Sequence, residues 1–186
     1  KSDASLQVTT NQETGEALLA GMGELHLEIT VFRLEEEQNI KVKVSPPIVV
    51  YRESVEGNNK GRSFEGKSPN RHNRFMIECE PLSPEVVAAL REGHFGNGTV
   101  RSGDAKEVGN KFGELGMDKD KMRKIYAISG TNVLVNDTKG IQGLHETREL
   151  IIESFNEVCK KGPVADEPVM GMMVRLVDAK LHEDAI

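Results

Sequence analysis

Pro46-Pro47 is the pair of residues that most restricts this chain. Proline fixes φ and lacks an N–H, so two in a row bar both a helix interior and a central strand. A short apolar run follows, and Gly57-Asn58-Asn59 then opens a loop, so the segment reads as a hinge with a domain boundary near Pro47. The 186 residues are enough for one large domain or two small ones, and the hinge favours two, 1–46 and 47–186.

Composition narrows the class. Hydrophobic residues make up 37% and charged residues 29%, an ordinary balance for a folded globular protein, and no apolar run approaches a membrane span. Cys79 and Cys159 each lie in an apolar-periodic segment, as buried thiols of a reducing compartment do, and a cytoplasmic location is expected. The chain opens on Lys1 and runs directly into a strand-like stretch, with neither a signal peptide nor a natural start visible, and reads as an excised fragment. The glycosylation patterns at Asn97 and Asn136 are therefore read as chance.

In the first region "LQVTT" from Leu6 alternates apolar and polar residues, and "EALLAGM" follows the turn-forming Glu13-Thr14-Gly15, giving a pair of strands. "NIKVKVS" reads as a further strand with Ile40, Val42 and Val44 on one face. Between them "GELHLEITVFRLEEE" fits two periods. Leu25, Leu27, Ile29 and Val31 alternate as in a strand, yet Leu25, Ile29 and Phe32 share one helical face. Its length and acidic end favour a helix, in which case Leu27, Val31 and Leu34 form a second apolar strip, as in a helix covered on both sides.

The second region begins with a hairpin-like pair ending in "RFMIECEPL", where Phe75, Ile77 and Cys79 alternate with polar residues. A helix follows, with Ser83 as its cap, Pro84 in its first turn and Gly93 at its end. Ala105, Val108, Phe112 and Leu115 mark another, stopped by Gly116. "KIYAIS" and "NVLVN" are short strands or irregular apolar segments. Ile141, Leu144, Arg148, Ile151, Phe155 and Val158 recur at intervals of three and four, which predicts a long helix from near Lys139 to Lys161, ended by Gly162-Pro163. A last strand runs from Met172 to Ala179.

Catalytic chemistry finds little support. No nucleotide cradle is expected, and the glycines of "GHFGNG" read as loop punctuation. His182, Glu183 and Asp184 are adjacent, but neighbours on one short segment seldom converge on one ion, and no second cluster completes a metal site. His26 and His145 sit in helix-like segments and read as satisfied, partly buried histidines. No nucleophile is assigned.

The loop around "GKSPNRHNR" is the stronger clue. From Lys60 to Arg74 there are five Lys or Arg residues against one Glu, in a chain of net charge −6. Such a cluster suits phosphate contacts, with Asn and His available for sugars and bases. A solvated surface loop is the plain alternative, and composition by itself does not decide between them.

Several stretches resemble one family: the translocation elongation factors of the ribosome, in particular archaeal and eukaryotic elongation factor 2. They are "AGMGELHLEI" from Ala20, "PIVVYRESV" from Pro47, "KSPNRHNRF" from Lys67, "NDTKGIQGLHETRELIIESFNEV" and "VDAKLHEDAI". The resemblance implies an α+β chain: a partial ferredoxin-like α/β sandwich, domain III, over residues 1–46, then a ribosomal-protein-S5-domain-2-like βα domain, domain IV, over 47–186, truncated at its C-terminus. It makes "GELHLEI" the start of a helix. It also implies that GTP and Mg belong to a G domain outside this chain, so that no catalytic, cofactor or metal residue is expected here.

The expected partners are the ribosome (small-subunit rRNA, the tRNA anticodon arm and mRNA) and other domains of the same factor, with no membrane. The expected RNA-contacting tip comprises Lys67, Ser68, Pro69, Asn70, Arg71, His72 and Arg74 in one loop, with His182 and Asp184 in another. In the family "LHEDAI" is followed by a histidine converted to diphthamide, so His182 is expected to neighbour that residue and not to be it. A free-standing RNA-binding or ribosome-associated module of the same fold is the alternative, and a purely structural interaction domain ranks third.

Overall fold

A computed structural model of the chain describes residues 4–10, 16–47, 51–57 and 61–182. The predicted turn at Glu13-Thr14-Gly15, the loop residues Asn58, Asn59 and Lys60, and Asp184 lie outside the described residues. The chain divides into two compact units, Lys1–Val50 and Tyr51–Ile186. The fold class is α+β.

In the first unit β1 (Gln7–Thr10) and β2 (Ala17–Ala20) pair antiparallel, with Gln7 opposite Ala20. The ambiguous segment is helix α1, Glu24–Glu36. Its start is tight at Gly21, where a Cβ would lie 2.9 Å from Nδ1 of His26, and that nitrogen accepts a hydrogen bond from the Met22 N–H at 3.2 Å. Leu27, Val31 and Leu34 are half-buried, whereas Leu25, Ile29 and Phe32 stay exposed, so only one of the two apolar strips is sheltered within this unit. "NIKVKVS" is not a strand, contrary to its alternation. A strand needs a hydrogen-bonded neighbour, and β1 and β2 pair only with each other among the described residues.

The second unit holds a six-stranded sheet in the order β3-β4-β8-β7-β6-β5. The strands are β3 (Phe64–Lys67), β4 (Arg74–Pro81), β5 (Gly98–Thr99), β6 (Ile125–Ser129), β7 (Asn132–Asn136) and β8 (Met172–Lys180). All neighbours are antiparallel except β7 and β8, which are joined through helix α5 as a parallel crossover requires. On one face Val86 and Leu90 of α2 (Pro84–Arg91), Phe112 of α3 (Ala105–Glu114) and Met122 of α4 (Lys119–Met122) pack with Ile125, Ile128, Val133 and Val135. A second core joins Ile152, Phe155 and Cys159 of α5 (Arg148–Lys160) to Ala127, Leu134 and Met172. Burial in this core pushes the Cys159 thiol up to about 11.

Two bulges adjust which side chains reach which core. Between β6 and β7 the register shifts at Ile125/Ala127, which leaves Tyr126 as an extra residue. Ile125 and Ile128, three apart, thereby share one core, where strict alternation would separate them. Between β4 and β8 the register shifts at Met76/Ile77, leaving Val177 extra, and Leu176 and Ala179 share a third core.

The long predicted helix is shorter at its N-terminus, because α5 begins at Arg148. Gly140 and Gly143 take φ of 63° and 75°, left-handed conformations that interrupt a right-handed helix, and residues 139–147 form turns. His145 consequently sits outside the helix and is exposed. Leu144 is still buried, in a turn, and Arg148 turns inward over the Tyr126 ring at 4.9 Å. Val158 is 42% exposed, so the apolar period overextends at the C-terminal end as well. Pro84 and Gly93 bound α2 as expected, Gly93 with φ of 80°, but the Ser83 side chain caps no helix N–H. No helix among the described residues is long and apolar enough to cross a membrane.

Candidate nucleic-acid interface

The predicted basic loop is the connection between β3 and β4, whose last paired residues are Lys67 and Arg74. Its interior is hydrogen-bonded. Pro69 stands at the second position of a turn closed by the Arg71 N–H donating to the Ser68 carbonyl at 2.8 Å, where its fixed φ suits the geometry. The Ser68 hydroxyl donates to Oδ1 of Asn70 at 2.6 Å and accepts from the Asn73 N–H at 3.0 Å. Oδ1 of Asn70 also accepts from the His72 N–H at 3.1 Å. Ser68 and the Asn70 carbonyl oxygen are therefore engaged in shaping the loop.

Arg71 and His72 are both exposed. Arg71 adopts φ of 61°, a left-handed conformation that a non-glycine residue holds only when its surroundings enforce it. Here the enforcement is the turn bond on one side and the Asn70–His72 bond on the other.

The sheet brings the second predicted tip segment to this loop. β8 runs antiparallel to β4 with Lys180 opposite Arg74, so the residues after β8 emerge beside the residues before β4. The His182 N–H donates to Oδ1 of Asn73 at 2.9 Å, and the His72 and His182 rings lie 5.1 Å apart, tilted by 47°. Two loops far apart in sequence thus form one tip. Asp184 lies outside the described residues.

Two contributors escaped the reading of the sequence. Asn73 is buried, 7% exposed, and receives or donates at the junction of both loops. Nothing local distinguishes it from Asn70, since its burial depends on β8. Glu65 was legible: period-two alternation sets it on the same face as Lys67. Its carboxylate meets Nζ of Lys67 at 2.9 Å and Nη1 of Arg74 at 3.3 Å, and the Lys67 hydrogen bond leads the causes that hold it below the ordinary carboxylate value. Arg71 has no ion-pair partner among the described residues.

Behind the tip, the middle of β4 and β8 carries a buried charge cluster. Arg175 on β8 is bonded to Glu78 and Glu80 of β4, and its Nη1 donates to Oδ2 of Asp137 at 3.0 Å. Desolvation opposes its charge, yet the hydrogen bond to Glu80 and the three carboxylates raise its pKa above the ordinary arginine value. This cluster ties β4 to β8 and to the end of β7, so the tip stands on a cross-linked base.

No group of three or more His, Cys, Asp or Glu side chains that could hold a metal ion occurs among the described residues. Asn97 and Asn136, the two glycosylation-like positions, have structural partners: Asn97 accepts from the Gly130 N–H and Asn136 donates to the Tyr126 hydroxyl.

Comparison with known proteins is consistent along the whole chain. Residues 1–46 match the family model described as elongation factor G, domain III, and residues 98–186 match that of elongation factor G, domain IV. Among curated relatives, elongation factor 2 of Thermoplasma volcanium is 51% identical over all 186 residues. Those of Picrophilus torridus and Methanosarcina mazei are 52% and 50% identical over the same length. The chain spans about a quarter of each of these relatives, 25% in every case.

Proposed function

The chain belongs to the family of elongation factors G and 2, and from that premise we propose that it is the RNA-facing, nucleotide-free part of a ribosomal translocase. In this reading the full-length factor couples GTP hydrolysis to movement of tRNA and mRNA, and hydrolysis belongs to a domain outside residues 1–186. Residues 51–186 act as an arm whose tip enters the decoding region, where it approaches the tRNA anticodon arm, mRNA and small-subunit rRNA.

The observation that carries the reading is the joined tip, with Asn73 bonded to His182 at 2.9 Å, the His72 and His182 rings 5.1 Å apart, and Arg71 an exposed cation in the same loop. A basic loop on a chain of net charge −6 suits contact at one point: the tip attracts phosphate while the body repels non-specific RNA. Internal bonding fixes the loop before it meets RNA, so less conformational freedom is lost on docking.

The test replaces Lys67, Arg71 and Arg74 by Ala in the full-length factor. Translocation should slow while ribosome-stimulated GTP hydrolysis stays near wild type, since the string from Gly61 to Ser68, though spaced like a phosphate loop, runs through strand β3 into a turn and not into a helix N-terminus. Equal loss of both activities would refute the reading. The 186-residue chain alone should show no GTP binding in equilibrium dialysis.

A further inference from the structure

Glu65 is the carboxylate that two of the tip cations meet. It shares a strand face with Lys67, stands diagonally across the ladder from Arg74, and presents one carboxylate oxygen to each cation, at 2.9 Å and 3.3 Å. All three side chains are open to water, 35% exposed for Glu65, 42% for Lys67 and 52% for Arg74. Exposed ion pairs of this kind contribute little to stability and exchange readily. Of the three tip cations Lys67, Arg71 and Arg74, only Arg71 is unpaired among the described residues, so two of the three share one carboxylate in the fold.

We propose that Glu65 is a built-in competitor for RNA phosphate: it occupies Lys67 and Arg74 in the free protein, weakens the tip's affinity for RNA, and is displaced when the tip docks. This rests on the tip's being RNA-facing. Arg71 makes the first phosphate contact, and Lys67 and Arg74 follow as their bonds pass from carboxylate to phosphate. A tip restrained in this way can release its RNA after each engagement. The carboxylate is ionised at neutral pH, because its hydrogen bond and charge contacts with Lys67 and Arg74 lower its pKa.

The experiment measures binding of the 186-residue chain to a short fluorescent RNA stem-loop by anisotropy over a range of salt concentrations. Glu65→Gln should bind about two- to fivefold tighter at low salt, the effect of removing one nearby charge in water-like surroundings. Its salt dependence should steepen, by up to about one unit of logarithmic slope for each cation released to phosphate. Glu65→Thr, which keeps the strand preference, should behave the same, and thermal melts by circular dichroism establish that both variants fold.

Two controls separate the possible failures. If Lys67→Ala/Arg71→Ala/Arg74→Ala binds the RNA as well as wild type, the RNA-facing reading itself is wrong. If that variant binds more weakly but both Glu65 variants match wild type, the tip faces RNA and the competitor role is overturned. Glu114→Gln, an exposed change of equal charge on α3, must stay at wild-type affinity; equal tightening there would mean that net charge alone is responsible and would also overturn the proposal.

Discussion

Two carboxylate–cation clusters share strand β4, and they differ chiefly in burial. At the tip, Glu65 bridges Lys67 and Arg74 in open water. In the middle of the β4–β8 pair, Arg175 is 7% exposed and is enclosed by Glu78, Glu80 and Asp137. In water the competing solvent and salt leave each bond weak and exchangeable. Inside the sheet the same chemistry is locked, because separating the charges leaves them without water to replace their partners. Burial thus turns one cluster into a structural clamp and leaves the other exchangeable.

The contrast is tested most strongly at Arg175. Arg175→Ala should destabilise residues 51–186 by about 3–5 kcal/mol, since it leaves the buried Glu78 and the half-buried Glu80 without their cation. Urea denaturation followed by circular dichroism measures it. A loss no larger than that of an exposed pair would erase the distinction between the two clusters.

Asn73 lies between the extremes, being buried but uncharged. Asn73→Ala leaves the His182 N–H without its acceptor and should cost about 1–3 kcal/mol. Faster amide exchange at His182, with the exchange of the β6–β7 amides unchanged, would locate the loss at the tip.

Glu53 sharpens the comparison with a carboxylate held by N–H groups and not by a cation. It accepts from the N–H groups of Ala165 at 2.7 Å, Val164 at 3.2 Å and Glu167 at 3.3 Å. The Ala165 bond is the largest cause of its lowered pKa. A lowered folded-state pKa means stability that is complete above the ordinary value of 4.5 and lost as pH falls through the folded value. Glu53→Gln should therefore lower the melting temperature at neutral pH and narrow its gap to wild type in acid. A gap that widens on acidification would contradict the assignment.

The smallest effect is expected at Glu65. Glu65→Gln should leave the melting temperature within error of wild type even as it alters RNA binding, because an exposed pair holds little of the fold together. A clear loss of stability would place this cluster with the buried one.

Local chemistry made much of this legible. Pro84 and Gly93 bound α2, Gly116 stops α3 and the Phe75–Cys79 alternation marks β4, because proline, positive-φ glycine and strand alternation act over a few residues. The loop's bends could be read from "SPN" for the same reason. Where one apolar pattern served two geometries, local reading failed: Ile141 and Leu144 keep helical spacing yet lie in turns, since backbone conformation at Gly140 and Gly143 outweighs periodicity.

By itself the sequence determined most of the elements, the basic loop and, through its motifs, the family. Tertiary structure alone decided that His182 would meet Asn73, that bulges at Tyr126 and Val177 would redirect the faces of β6 and β8, and that Arg175 would gather carboxylates from β4 and from the end of β7. The physical reason is range. Capping and turn preferences depend on neighbours in the chain, whereas strand register, burial and the strength of an ion pair depend on residues a hundred positions away that only the folded sheet brings together.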